Sequence, residues 1–129
     1  MLRAISASGS NVAQALFTIV GANMQSTSDQ TLTKVATVNT YIPTIISVVW
    51  VSGAFNTACA GGLYTAATKG GTAIVAAAQS YAALTGSGTS VNCAIAATGP
   101  FTATPILSLT TGNSAALTAT FVVWGVILA

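Results

Sequence analysis

The chain has 129 residues, but only three Lys or Arg side chains, one carboxylate and no His. Soluble domains usually carry about 25% charged residues, so a soluble protein of this composition needs hydroxyl-rich surfaces or partner subunits that cover it. High hydrophobicity with low net charge argues against intrinsic disorder, and a net charge of +2 without a basic patch argues against nucleic-acid binding.

Short runs of β-branched and aromatic residues, separated by Gly, Ser, Asn and Pro, predict strands along the first half of the chain. These strands cover residues 12–21, 30–37, 40–52 and 57–68. The stretch NMQSTSD forms a polar loop between the first two. We expect the fourth strand to be weakened or bulged at Gly61-Gly62, and a turn at Lys69-Gly70-Gly71 to follow it.

The second half of the chain continues the same pattern. We predict a strand over residues 72–77, a kink, and a short extended piece over 80–84, followed by the flexible turn TGSGTS. Further strands are predicted over residues 91–98, 106–111 and 115–128. The turn residues TGNS between the last two predict an antiparallel hairpin.

Short strands at regular spacing, without amphipathic helices between them, predict an all-β fold of about eight strands, arranged as a β-sandwich, a barrel or a jelly roll. The length predicts a single domain over residues 1–129, with residues 1–10 as an extended N-terminal arm. The strands over 40–52 and 115–128 are apolar on both faces. Because one face of a two-layer sandwich normally meets solvent, these strands indicate a second buried surface at a subunit interface.

The uncharged stretch from residue 35 to residue 68 raises the question of a membrane segment. A transmembrane helix needs about 20 mostly apolar residues, and the best candidate, YIPTIISVVWVSGAF, is interrupted by Pro43, Thr44 and Gly53. We therefore expect no membrane partner. The N-terminal residues lack the apolar core of a signal peptide, so we expect synthesis in the host cytoplasm with initially reduced cysteines.

The residue inventory lacks the groups that most catalytic sites need. The absence of His excludes Ser-His-Asp and Cys-His catalysis and His-based metal sites. The single carboxylate, Asp29, cannot form a glycosidase pair and is most simply a turn residue. We expect no enzyme, no catalytic residues, no cofactor and no metal, although inventory alone does not exclude a Ser-Lys or lone-Cys enzyme.

Two groups of side chains have alternative interpretations. Cys59 and Cys93 lie in the middle of predicted strands, where they are either small buried hydrophobes, a disulfide between neighbouring strands, or two ligands of a metal. The larger aromatic side chains either pack in the core or an interface, which we favour, or line a sugar-binding surface. They are Tyr41, Trp50, Tyr64, Tyr81, Phe101 and Trp124.

Three segments carry a resemblance to a known group of proteins: GANMQSTSDQTLT, GGLYTAATKGGTAIVAAAQSYAALT and LSLTTGNSAALTATFVVWGVIL. Their order and spacing resemble small proteins encoded among the virion structural genes of tailed bacteriophages and prophages, over roughly residues 17–128. The resemblance implies a capsid cement (decoration) protein with a jelly-roll-like antiparallel β-sandwich of about eight strands. Such a protein is typically a trimer seated on the outer shell at local three-fold positions. It implies no catalytic or ligand residues.

From the composition and the resemblance we expect a homotrimer on the capsid surface of a virion, bound to the major capsid protein. It would stabilise the head through trimer and capsid contacts. One alternative is another virion component, such as a head fibre, tail or baseplate protein. A second alternative is a carbohydrate- or receptor-binding β-sandwich.

Overall fold

The computed structural model describes residues 13–129, which form nine strands and no helix. The strands are β1 (Gln14–Asn23), β2 (Gln30–Thr31), β3 (Thr33–Lys34), β4 (Tyr41–Gly53), β5 (Ala60–Ala66), β6 (Gly70–Val75), β7 (Ser90–Asn92), β8 (Ile106–Thr111) and β9 (Leu117–Ile127). Within this part of the chain, no helix is long and apolar enough to span a membrane. The N-terminal arm predicted over residues 1–10 lies outside the described residues.

The strands form two antiparallel sheets. Sheet A has the order β3-β1-β9-β4-β7, and sheet B has the order β2-β8-β5-β6. Apart from the short β3, the strands pair in a nested way: β1 with β9, β2 with β8, β4 with β7, and β5 with β6. This nesting of eight strands in two four-stranded sheets is the jelly roll. The prediction of a jelly-roll-like antiparallel sandwich is confirmed, with one additional short strand.

The core lies between the two sheets and follows the alternation of the strands. In β9, Leu117, Ala119, Phe121 and Val123 are fully buried, whereas the residues between them face away from the core. Aromatic rings join the two halves of the core, and the ring of Tyr81 meets Phe121 edge-on with a centroid distance of 5.6 Å. Such edge-to-face contacts add about 0.5–1.5 kcal/mol beyond their buried area.

The prediction of a C-terminal hairpin is wrong, because β8 and β9 lie in different sheets. The turn between them crosses from sheet B to sheet A and is held by Asn113, which is only 3% exposed. Its Oδ1 accepts the N–H groups of Asn56 and Thr57 at 2.9 and 3.2 Å, and its Nδ2 donates to the carbonyls of Ala54 and Ala115 at 3.0 and 2.9 Å. The residues Gly-Asn-Ser are favourable both in a hairpin turn and in a connection between two sheets. The turn residues alone therefore do not distinguish a hairpin from an inter-sheet connection.

Two other predicted strands are shorter or divided. The segment 30–37 splits at the buried Leu32 into β2 and β3, because β2 pairs with β8 in sheet B and β3 pairs with β1 in sheet A. The segment 91–98 contributes only its first residues to β7. The irregularity expected at Gly61-Gly62 is present as a register shift between Ala60 and Gly61 against β8.

Candidate functional site: the outer face of sheet A

The outer face of sheet A is apolar because β4 and β9 carry apolar residues at both sets of alternating positions. The register places Trp124 of β9 between Ala15 of β1 and Ile45 of β4. Ile45, Val49 and Trp124 are 51%, 46% and 39% exposed. We call this surface the apolar face and define it by Ala15, Ile45, Val49, Val122, Trp124 and Val126. β4 and β9 are therefore apolar on both faces, as predicted. One face of each strand packs in the core, and the other is exposed on the single chain.

Threonines on this face use their hydroxyls within sheet A. Thr18 Oγ1 donates to the carbonyl of Phe121 at 2.9 Å, and Thr44 Oγ1 donates to the carbonyl of Trp124 at 3.3 Å. Both bonds run from one strand to its neighbour. Burying a hydroxyl without a partner costs about 1–3 kcal/mol. A protein that covers these threonines would not incur this cost, because their hydrogen bonds are already made.

Other polar side chains on the face also bond within sheet A. The hydroxyls of Ser52 and Thr118 lie 2.6 Å apart across β4 and β9. The indole N–H of Trp124 donates to the hydroxyl of Ser47 at 3.3 Å. The face is thus apolar in its large side chains, and each of these small polar side chains has a hydrogen-bond partner within the sheet, which suits burial against another surface.

Charge is absent from the apolar face as far as the structure describes it. The charged residues among 13–129 are Asp29, Lys34 and Lys69. Lys34 lies on the edge strand β3, and Asp29 and Lys69 lie together beside sheet B. A partner therefore meets no ion on this face that it would have to desolvate or neutralise.

Both cysteines are buried free thiols in the structure. The thiol of Cys59 donates to the carbonyl of Met24 at 3.6 Å, and the sulfur of Cys93 lies 3.9 Å from the hydroxyl of Tyr81. Burial raises the pKa of the Cys59 thiol, and burial raises that of Cys93 to about 11. Both side chains are thus buried, as small hydrophobes would be, and the Cys59–Cys93 disulfide stays a prediction.

The aromatic side chains do not form one binding surface. Tyr41 and Tyr81 are fully buried, and Tyr64 is 6% exposed. Trp124 lies on the apolar face. Phe101 forms a β-bridge with Tyr41 at the start of β4, whereas Trp50 lies near the other end of this strand. Their dispersal removes the basis for a sugar site built on aromatic rings.

Asp29 lies in the loop directly before β2, and its side chain reaches the turn between β5 and β6. Its Oδ2 accepts the N–H of Thr68 at 2.8 Å, and the neighbouring Lys69 donates from Nζ to Ser108 Oγ at 2.9 Å. No local motif in the sequence indicates these contacts, because Asp29 is separated from Thr68, and Lys69 from Ser108, by 39 positions each.

The comparisons with known proteins add no relative. No protein-family model matches the chain, no curated protein matches it, and no solved structure matches it. The function is therefore argued from the geometry of this chain.

Proposed function

We propose that the protein is a structural component of a virion, a decoration protein that binds the outside of a bacteriophage head and stabilises it. The observation that carries this proposal is the apolar face. It is uncharged, its small polar side chains have hydrogen-bond partners within the sheet, and it includes a partly exposed Trp124. Contiguous exposed apolar surfaces on soluble domains mark interaction sites. The resemblance of three sequence segments to phage virion proteins supports the same role.

The size of the apolar face bears on how many contacts the subunit needs. Its three long strands, β1, β9 and β4, have 10, 11 and 13 residues. At about 3.3 Å per residue and 4.8 Å between strands, they cover roughly 500 Å². At about 25 cal/mol per Å², burial of this area contributes about 12 kcal/mol, which association costs of about 4–15 kcal/mol largely offset.

A single contact through this face would therefore be marginal. A trimer seated on a shell adds contacts, and each further contact forms at the high effective concentration of a tethered partner. We propose a homotrimer on the capsid surface, with the major capsid protein as its partner. The jelly roll is consistent with this role, since it occurs in viral capsid and lectin domains, but a fold does not determine a function.

We propose no catalytic activity. The contact between Lys69 and Ser108 is the one arrangement that resembles a nucleophile with its base within the described chain. A lysine that activates a nucleophile is usually desolvated, whereas Lys69 is exposed and Ser108 is only 1% exposed. Lys69 is thus solvated, and it lacks the desolvation that would let it act as a base toward Ser108.

The test is to measure the copy number of the protein in purified particles of the phage that encodes it, and to locate it by cryo-EM. We expect many copies per particle, arranged as trimers on the outer shell. A few copies per particle would contradict the proposal. A position on the tail, baseplate or a head fibre would assign the protein to another virion component.

A further inference from the structure

A cleft of about 330 Å³ lies beside sheet B, where three parts of the chain meet. This volume is at the lower end of the range for small-molecule sites, about 300–1,000 Å³. The loop before β2, the turn between β5 and β6, and strand β8 provide its walls. The lining residues are Thr27, Ser28, Asp29, Thr68, Lys69 and Ser108.

The turn that forms one wall is held in an uncommon conformation. Thr68 and Lys69 have φ angles of 54° and 59°, in the left-handed region that residues other than Gly rarely adopt. The carboxylate of Asp29 accepts the N–H of Thr68 at 2.8 Å and fixes the turn against the opposite wall. The side chains of Asp29 and Lys69, a carboxylate and an ammonium group, thus both line this cleft.

Ser108 supplies a buried polar group at the floor of the cleft. It is 1% exposed, and its Oγ accepts a hydrogen bond from Lys69 Nζ at 2.9 Å. An ammonium group only donates, so the hydroxyl proton of Ser108 remains to be donated. Within residues 13–129 this proton has no protein acceptor. Lys69 gives the hydroxyl of Ser108 one partner, and an acceptor atom bound in the cleft would add a second by taking this proton.

The charges at the cleft define the ligand. Lys69 and Asp29 have opposite signs, and each forms its hydrogen bond with an uncharged group of the protein. An anion would be repelled by Asp29 and a cation by Lys69. A matching ligand is neutral, accepts hydrogen bonds at one atom and donates one from a neighbouring atom.

We propose that this cleft binds a neutral saccharide through a pair of adjacent hydroxyl groups. One hydroxyl oxygen accepts hydrogen bonds from Lys69 and Ser108, and its neighbour donates to Asp29. No aromatic ring lines the cleft, so the site lacks a stacking surface and we expect millimolar affinity for a monosaccharide. The site is independent of the virion role, since all of its groups belong to one chain.

The test is an NMR titration of ¹⁵N-labelled protein with the methyl glycosides of glucose, galactose, mannose and N-acetylglucosamine. We expect saturable shifts of the amide signals of Asp29, Thr68, Lys69 and Ser108 with at least one of them. Lys69→Met should weaken this binding at least about tenfold, because it removes a charge-assisted hydrogen bond. Lys34→Met, which removes the same charge from an edge strand, should leave binding unchanged.

Several outcomes would overturn the proposal. One is the absence of saturable shifts at these four amides with all four glycosides. Another is equal weakening by Lys69→Met and Lys34→Met, which would indicate a nonspecific effect of charge. Preferential binding of glycine or inorganic phosphate would show that the cleft selects a zwitterion or an anion instead. Asp29→Asn keeps an acceptor for Thr68 N–H, so loss of binding in this variant with an otherwise unchanged spectrum would support the proposal.

Discussion

The indole N–H of Trp124 donates to the hydroxyl of Ser47 on the neighbouring strand, at 3.3 Å. Trp124 lies between Ala15 and Ile45 on the apolar face and is 39% exposed. Its one polar atom is therefore satisfied within the sheet while its ring is available to a partner. Aromatic residues of this kind are enriched at the energetically important centres of interfaces.

A charge placed on the apolar face should abolish assembly without unfolding the chain. Val49 is 46% exposed and lies opposite Thr120 of β9. In Val49→Lys the ammonium would be buried without a partner in any contact through this face, at a cost of several kcal/mol. We expect association to weaken by about 100-fold or more, measured by light scattering after size-exclusion chromatography and by occupancy on particles.

The matched control for this variant is Ala78→Lys, which adds the same charge at an exposed turn that follows β6 of sheet B. It should assemble as the wild type does, and the melting temperatures of both variants should stay close to that of the wild type. If Val49→Lys associates as strongly as Ala78→Lys, the apolar face is not the contact surface.

Asn113→Ala should destabilise the fold strongly, because this one side chain holds the corner between the sheets. The substitution removes the partners of two N–H groups and two carbonyls, including those of Asn56 and Ala54. Since the region is partly buried, we expect a loss of about 2–4 kcal/mol in the free energy of unfolding. Urea denaturation measures it.

The neighbouring Ser114 provides the comparison. Its hydroxyl donates to Asn56 Oδ1 at 3.0 Å in an exposed position, so Ser114→Ala should cost less than about 1 kcal/mol. Equal losses in the two variants would show that the corner is not held by the Asn113 side chain.

Alkaline pH should destabilise the protein through its buried thiols. Burial raises the pKa of Cys93 to about 11, whereas an unfolded thiol titrates near 8.5–9. The unfolded state therefore loses its proton first as the pH rises. The stability that the protonated thiol of Cys93 contributes is fully present below about pH 8.5. It decreases between the unfolded and folded pKa values and is lost above about pH 11.

We expect the free energy of unfolding to fall by about 3 kcal/mol across this window. Urea denaturation at successive pH values measures this decrease. Burial also raises the pKa of Tyr41 and Tyr81, so the decline should continue above pH 10. Cys93→Ala should flatten the slope between pH 9 and 11. An unchanged slope would show that Cys93 does not titrate in this way. Both thiols should react with maleimide only after unfolding.

The fold class could be predicted, because local sequence patterns indicate strands and turns. Several contacts could not be predicted, because they join segments that are far apart in the sequence. The doubly apolar pattern of β4 and β9 predicted both strands and an additional surface to be covered. The same pattern could not reveal that the hydroxyl of Thr18 is satisfied by Phe121, 103 positions away. The division of residues 30–37 between two sheets was also not predictable from the sequence. Each of the two strands is only two residues long, and the strand with which it pairs determines the sheet to which it belongs.

Gly62→Ala should destabilise the protein by steric conflict alone. An ideal Cβ at Gly62 would lie 2.1 Å from the carbonyl oxygen of Val75, a backbone atom of the neighbouring strand β6. A backbone atom cannot move aside as a flexible side chain does, so β5 and β6 must separate locally. We expect a loss of about 2–4 kcal/mol in the free energy of unfolding.

Gly21→Ala separates this steric effect from backbone conformation. Gly21 has a φ of 64°, yet an added Cβ would meet nothing within 4 Å, so its cost is that of a left-handed conformation, about 1–2 kcal/mol. Urea denaturation of the two variants compares the two costs. We expect Gly62→Ala to be the more damaging, because the approach of β6 to β5 leaves no volume for a methyl group. The reverse order would mean that the strand pair adapts at little cost, and the close packing of β5 against β6 would then not be the reason for glycine at this position.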